Sequence, residues 1–411
     1  GPLTAAEAGR PVRLGFVGVG SRGTYLLRTC LDLGGVEVPA VCDIDAGNLE
    51  KAQRLVEKSG LKKPEGYSRG PEDFRRMAGR VDLDVVINAT PLELHAPVMM
   101  AAMEAGKYGA TEVPAATTLD ECSQLVETSE RTGMPCMMLE NYCYFRNVMM
   151  VLNMVQQGVF GEVIHCETGY QHDTRYVAFG PEGELLWRAR YKMERNGNLY
   201  PTHAIGPCAW WMDINRGDRF SHLVSMSSKP AGMNEYIIKK FGPDHPSASQ
   251  QYKIGAVNTT LIRTEKGKTV TLYYDTCLPR PFEMIYRLQG TEGIYMGSTD
   301  QIYLESRSPQ EHTWEDAGSY YGQYEHPMWK ALGETARGYS HGGGDYMMLD
   351  QLLRAVRNRV PPPVDVYDSA AWSVIGPLSE LSVARGSAPV EFPDFTGGAW
   401  KTKRPVGFLG L

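Results

Sequence analysis

The chain has 411 residues and a net charge of −6, with 42% hydrophobic and 22% charged residues. At roughly 100–200 residues per domain this means two domains with a sizeable core, which excludes a disordered chain. The acidic balance and the lack of a Lys/Arg run argue against a nucleic-acid partner, and no apolar run of about 18 residues offers a membrane span.

Residues 12–19 form an apolar run rich in β-branched residues, as a buried parallel strand does. Gly18-Val19-Gly20-Ser21-Arg22-Gly23 follows, and then an apolar pattern at helical spacing. A second strand, Val36 to Cys42, ends in Asp43, and 46–59 reads as a helix. Residues 83–89 form a third strand ending in Thr90-Pro91, with a helix from Pro97 through Ala105. Lys107 to Glu112 is a further strand closed by Pro114. A helix over 118–132 and a strand over 134–140 complete the series. Strand and helix alternate throughout, which predicts a doubly wound parallel sheet, a Rossmann domain over 1–146.

The pattern then changes. After a helix over 147–157, alternating runs at 162–170, 219–228, 258–276 and 282–298 read as strands. Glu265-Lys266-Gly267-Lys268 and Thr291-Glu292-Gly293 supply hairpin turns. Residues 147–411 are therefore expected to form an α+β domain with a largely antiparallel sheet. Helices at 345–359 and 367–386 close the chain, and their packing, on this domain or back on the first, stays open. The stretch 173–200 reads as a long loop, of a length more often functional than idle. Sheets of this kind often pair face to face, so a homo-oligomer is compatible with the pattern.

Eight cysteines lie mostly in apolar runs without a C-x-x-C pair, so they read as buried thiols and do not fix a compartment. The nine histidines are scattered without H-E-x-x-H spacing, so no metal site is expected. Gly1-Pro2 reads as the scar of a cleaved tag. An export signal upstream of it would make the protein periplasmic or secreted, and localisation stays open.

The glycine motif has the context of a dinucleotide site: strand before, helix after, and an acidic residue 20 positions beyond Gly23. Gly18, Gly20 and Gly23 permit a tight turn and bring a pyrophosphate close to the helix N-terminus. Asp43 would accept hydrogen bonds from the adenosine ribose and repel a 2′-phosphate, which favours NAD over NADP. Arg22 argues the other way, since a nearby arginine serves a 2′-phosphate. Thr90-Pro91-Leu92-Glu93-Leu94-His95 ends another strand, where ligands bind in such sheets, and His95 is a candidate for ribose or nicotinamide contact. Thr111-Glu112-Val113-Pro114 and Glu140-Asn141-Tyr142-Cys143-Tyr144 end two more. A tyrosine in the last of these would face the cleft between domains, and its phenol would serve as acid or base beside a cation. Tyr200-Pro201-Thr202-His203 opens an apolar helix. His203 in its first turn would feel the positive helix end, which favours the neutral imidazole able to take a hydroxyl proton.

These residues carry a resemblance. E-x-P after a strand and TP-x-x-x-H before it resemble the glucose–fructose oxidoreductase/inositol dehydrogenase (Gfo/Idh/MocA) superfamily. TEVPAATTLDEC, GMPCMMLENYCY, GYQHD, RNGNLYPTHAIGP, DINRGDRF, DTCLPRPF, SHGGGDY, PVDVYDSAAWS and PVEFPDF, in this order, resemble glycoside hydrolase family 109, whose named activity is α-N-acetylgalactosaminidase. The resemblance implies a carbohydrate substrate and a tightly held NAD that is returned unchanged. The sugar C3 hydroxyl is oxidised, the acidified C2 proton is removed, the C1 group is eliminated, water adds and C3 is reduced again. NAD-dependent glycosidases need no paired carboxylates.

Carried over by position, the resemblance implies NAD contacts at Gly18, Gly20, Ser21, Arg22, Gly23, Asp43, Leu92, Glu93, His95, Glu112, Val113 and Asn141. Substrate contacts fall at Tyr170, Arg188, Tyr200, Pro201, Thr202, His203 and Phe282. His203 is assigned the C3 hydroxyl proton, Tyr144 the C2 proton, and Glu112 joins them as a catalytic candidate. Two departures stand out. Val113 occupies the lysine position of many dehydrogenases in the superfamily and moves no proton. Phe282 stands where a tyrosine is expected, which bears on the sugar pocket. A sugar oxidoreductase releasing NADH, a β-N-acetylhexosaminidase using the same route, and a non-catalytic NAD sensor remain alternatives.

Overall fold

The computed structural model describes residues 9–410, and Gly1-Pro2 lies outside them. Two sheets organise the chain, each in its own unit. The first unit comprises the chain up to Arg146 with His326–Ser373 and the segment from Pro405. The second comprises Asn147–Glu325 and Val374–Arg404. The stretch 147–411, read from sequence as one domain, is thus divided between them.

The first unit holds β1 (Val12–Val17), α1 (Ser21–Leu33), β2 (Val36–Cys42), α2 (Ala46–Lys58), β3 (Glu65–Tyr67), α3 (Asp73–Ala78), β4 (Val85–Asn88), α4 (His95–Glu104), β5 (Tyr108–Thr111), α5 (Leu119–Thr132) and β6 (Cys136–Met138). All pairings are parallel, in the order β3-β2-β1-β4-β5-β6. The order reverses direction between β1 and β4, so their carboxyl ends open the crevice where such sheets bind ligands. The central strands are buried on both faces, which is why VVIN of β4 shows no polar alternation. Helix starts follow local chemistry. Asp45 caps α2 by accepting from the Asn48 amide, and Thr118 and Glu121 form a reciprocal capping box at α5.

The second unit begins with α6 (Arg146–Gln156, whose first residue still belongs to the first unit) and β7 (Val163–Gln171), followed by α7 (Trp187–Glu194) and α8 (Thr202–Trp211). The long loop expected at 173–200 therefore contains a helix of eight residues. Then come β8 (Phe220–Ser227), α9 (Met233–Phe241), β9 (Asn258–Thr264), β10 (Thr269–Asp275), β11 (Arg287–Gly290), β12 (Gly293–Met296), β13 (Gln301–Leu304) and β14 (Glu315–Asp316). The expected strand over 282–298 is shorter than its pattern. Glu283 makes only an isolated bridge to Gln171 before β11 starts.

Three helices, α10 (Pro327–Ala336), α11 (Gly344–Asn358) and α12 (Val366–Ser373), belong to the first unit, and α13 (Ile375–Ala384) and β15 (Val390–Glu391) to the second. Met347, Met348, Leu349 and Leu352 give α11 an apolar face that is fully buried, and the helix packs on α1. The second sheet has the order β14-β13-β12-β11-β7-β10-β9-β8-β15. It is antiparallel except for the parallel pair β7 and β10. Helix α8 packs on β7 and α13 on β8.

The eight cysteines are buried thiols. Among the described residues, no helix is long and apolar enough to cross a membrane, and no group of three or more His, Cys, Asp or Glu is placed to hold a metal.

Leu14 in β1 is wholly buried. Leu14→Ala is expected to cost ~2–5 kcal/mol, read as an earlier midpoint in denaturant unfolding.

Candidate active site

In the first unit each glycine of the loop after β1 has a different reason to be glycine. Gly18 has φ +77°, and a Cβ there would lie 2.7 Å from the Ala89 carbonyl oxygen. A Cβ on Gly23 would lie 1.8 Å from the Gly18 carbonyl oxygen, so the helix could not seat against the turn. At Gly20 the nearest atom would be 3.7 Å away, leaving that side of the loop open. Tight turn, close helix packing and an open face at the helix N-terminus are the three features that admit a pyrophosphate.

Asp43, at the end of β2, accepts the Val19 amide at 2.8 Å through one oxygen and the Asp45 amide at 2.8 Å through the other. It therefore shapes the loop, and each oxygen keeps a lone pair for a ribose hydroxyl. Asn141 follows β6. Its Oδ1 is buried without a protein partner, which presents an acceptor suited to a ligand N–H or O–H. The residues present thus fit a dinucleotide. Ser21 and Glu93 are exposed, whereas Leu92 and Val113 are buried.

His95 departs from its expected contact with ribose or nicotinamide. The ring is 1% exposed, with Nδ1 at 2.7 Å from the Pro114 carbonyl and Nε2 at 2.9 Å from the Thr90 carbonyl. Each nitrogen faces a backbone carbonyl, one beyond β4 and one beyond β5, so the buried ring sits between the two strand ends and turns its polar atoms toward the backbone.

Arg22 is the centre of a buried charge cluster. Its Nε donates to Glu112 at 2.7 Å, and its two terminal nitrogens donate to Asp345 at 3.0 and 2.7 Å. Asp345, in the first turn of α11, also accepts from Asn141 Nδ2 at 3.0 Å and from His341 Nδ1 at 2.7 Å. Burial alone would raise the Asp345 carboxyl, but the hydrogen bonds from His341 and Arg22 outweigh it and hold it down to about 2. Burial likewise opposes the charge on Arg22, and the two carboxylates more than offset it, so its pKa is raised. Arg22 is drawn toward β5, whereas Asp43 closes β2 on the other side of β1. The guanidinium therefore points away from the residue expected to face the adenosine ribose. Glu112, expected among the catalytic residues, is engaged by this arginine. Tyr144 is wholly buried, its carbonyl accepting from the Trp329 indole at 2.9 Å and its ring edge-on to Phe408.

In the second unit, β7 and the N-terminus of α8 bring together an aromatic and imidazole cluster. His203 lies in the first turn of α8, with ring centroids 5.7 Å from Tyr170 and 5.2 Å from Tyr200. Tyr170 and Tyr200 are 5.1 Å apart. Thr168 Oγ1 donates to the Ala204 carbonyl at 3.1 Å, which pins the start of α8 to the strand carrying Tyr170. Phe282 is 48% exposed and edge-on to Tyr170 and His172. Pro201 and Thr202 are buried, and the Thr202 hydroxyl has no protein partner. Arg188 is exposed on α7 with its guanidinium 4.3 Å from the Trp187 ring centroid.

Three residues at these sites were not singled out from sequence. His172 sits two positions after Tyr170, with the Tyr170 hydroxyl 3.4 Å from its Nδ1, and burial pulls its imidazole below the ordinary value. Period-two spacing along β7 was the available signal. Asp345 and His341 lie in SHGGGDY, with Asp345 323 residues beyond Arg22, and no local pattern links them to it.

The parallel sheet with its glycine loop defines an NAD-binding Rossmann architecture, joined in one chain to a largely antiparallel second sheet. Family models agree: residues 12–140 match "Oxidoreductase family, NAD-binding Rossmann fold", and residues 144–402 match "Glycosyl hydrolase 109, C-terminal domain". The chain belongs to glycosyl hydrolase family 109. A glycosyl hydrolase family 109 protein of Stenotrophomonas maltophilia (strain K279a) is 43% identical over 426 residues, covering 98% of this chain and 94% of that one. A Tannerella forsythia protein named alpha-N-acetylgalactosaminidase is 41% identical over 421 residues, covering 98% and 90%. Among solved structures, levoglucosan dehydrogenase in complex with NADH matches the fold with a TM-score of 0.71 at 19% identity, covering 93% of this chain and 100% of that one.

The Asp345 cluster makes an acid-stability prediction. The carboxyl is depressed from its ordinary 3.8 to about 2, so its stabilisation is complete above about pH 4 and is lost as pH falls toward 2. Asp345→Asn is expected to lose less stability than the parent between pH 4 and 2, measured as melting temperature against pH.

Proposed function

We propose that the protein removes terminal N-acetylgalactosamine from glycans with an NAD that stays bound and is regenerated in each turnover. The observation that carries this reading is the union, in one chain, of an NAD-binding Rossmann fold with the C-terminal domain of a hydrolase family. Hydrolysis has no net use for an electron carrier, so the cofactor must end each cycle as it began. The relative named alpha-N-acetylgalactosaminidase supports the choice of sugar.

When bound, NAD supplies a reversible two-electron sink for the sugar C3. The chain's residues then have separable tasks. His203 takes the C3 hydroxyl proton and returns it, and Tyr170 and Tyr200 pack against its imidazole. A ketone at C3 makes the C2 proton acidic, and Tyr144 is assigned its removal. Val113, buried at 2% exposure, offers no proton at the place where many dehydrogenases of the superfamily carry lysine, which fits a hydrolase better than an alcohol dehydrogenase. The cluster of Tyr170, His172, Tyr200, His203 and Phe282 contains no carboxylate, so it does not supply the acid–base pair of an ordinary glycosidase.

The test is incubation with p-nitrophenyl α-N-acetylgalactosaminide and no added nucleotide, following phenol release and NADH absorbance together. Phenol without lasting NADH is expected. NADH accumulating without phenol, once NAD⁺ is supplied, would make the protein a sugar dehydrogenase. Cleavage of the β-linked substrate in place of the α-linked one would move the assignment to a β-N-acetylhexosaminidase.

His203→Ala is expected to lower turnover at least about 100-fold while NAD binding by titration is retained. Unchanged turnover would remove His203 from the mechanism.

A further inference from the structure

We propose that Asp345 is a positioning residue for the cofactor: through Arg22 it fixes the nucleotide loop and Glu112 in one arrangement, and so sets how tightly NAD is held. The inference rests on the reading that the loop between β1 and α1 holds NAD.

Arg22 is the second residue of α1, at the helix end that receives the pyrophosphate. Its guanidinium has five N–H donors. One goes to Glu112 at 2.7 Å and two go to Asp345 at 3.0 and 2.7 Å. The forked pair of bonds to one carboxylate fixes both the position and the plane of the guanidinium. Two N–H groups remain uncommitted. Arg22 therefore spans from the nucleotide loop to the end of β5 and to the first turn of α11.

Asp345 is built for this task. Its side chain is wholly buried, and four donors reach it: two from Arg22, one from Asn141 and one from His341. The backbone around it is shaped to allow the approach. His341, Gly342 and Gly343 all have positive φ, and a Cβ on Gly344 would lie 2.7 Å from the Asn141 carbonyl oxygen. The same Asn141 keeps a buried side-chain oxygen without a protein partner. Asp345 thus also orients an amide whose other atom is available to a ligand.

The charge count shows that Arg22 is not chiefly a counter-ion for phosphate. Two carboxylates against one guanidinium leave the cluster negative unless His341 is protonated. Its contribution to nucleotide binding is geometric. Without Asp345 the arginine keeps one carboxylate, its plane is free to turn, and the loop loses its strut to α11.

The experiment strips nucleotide from the full-length wild type, Asp345→Asn and His341→Gln, then titrates each with NAD by calorimetry and measures turnover against NAD concentration. Asp345→Asn is expected to weaken NAD at least about tenfold, and His341→Gln to weaken it less in the same direction. The NAD concentration for half-maximal turnover should rise by the same factor, while turnover at saturating NAD stays within about threefold. A purely structural role would lower the melting temperature without this split. Wild-type affinity in folded Asp345→Asn, or a collapse of turnover at saturating NAD with affinity intact, would overturn the inference. If Asp345→Asn does not fold, His341→Gln decides, and unchanged affinity there overturns it. A wild type that bound no NAD would overturn the cofactor reading itself, a result separable from the others.

Discussion

Arg22 carries a positive charge into a partly buried position, and two carboxylates meet it there. Removing the guanidinium would leave two carboxylates facing one another without a counter-charge, which is costly where burial weakens solvation. The geometry of the first unit follows from this constraint. The loop after β1, the end of β5 and the first turn of α11 are held to one guanidinium, although 323 residues separate Arg22 from Asp345. His95 lies beside it, its ring packed between the Thr90 and Pro114 carbonyls. The strand ends around the glycine loop are thereby cross-braced.

The two units differ in the chemistry that their side-chain clusters offer. Charged and hydrogen-bonding groups that suit a dinucleotide lie in the first unit. The second unit contributes aromatic rings and imidazoles, groups that stack on sugars and exchange protons near neutrality. Glu112 illustrates the point. In an ordinary glycosidase a carboxylate at such a place would be a candidate acid. Here it is engaged by Arg22, and a route through a ketone at C3 does not call on it as a glycosidic acid.

Much of this was legible in the sequence because it depends on local pattern. Buried parallel strands announce themselves as apolar runs, and the G-x-G-x-x-G turn gains its meaning from the strand before it and the helix after. The residues of Tyr200-Pro201-Thr202-His203 stand together at a helix start in sequence and in structure alike. Long-range pairing was not legible. Nothing near Arg22 announces Asp345, and nothing near His95 reveals that both its nitrogens would meet carbonyls. The second sheet was read by alternation, which failed where β11 begins later than its pattern, and the reading of 173–200 as a loop missed the helix over 187–194. The packing of the C-terminal helices stayed open in the sequence for a related reason: the buried face of α11 is visible there, but the surface it covers is not.

On the proposed route the glycosidic bond breaks by elimination after C3 oxidation, not by direct displacement at C1. The most direct test is hydrolysis of an N-acetylgalactosaminide in D₂O, with the released sugar examined for deuterium at C2. The account predicts incorporation at C2, because the proton removed there is replaced from a group in exchange with solvent when water adds. Released sugar with hydrogen fully retained at C2 would contradict it and require direct displacement at C1.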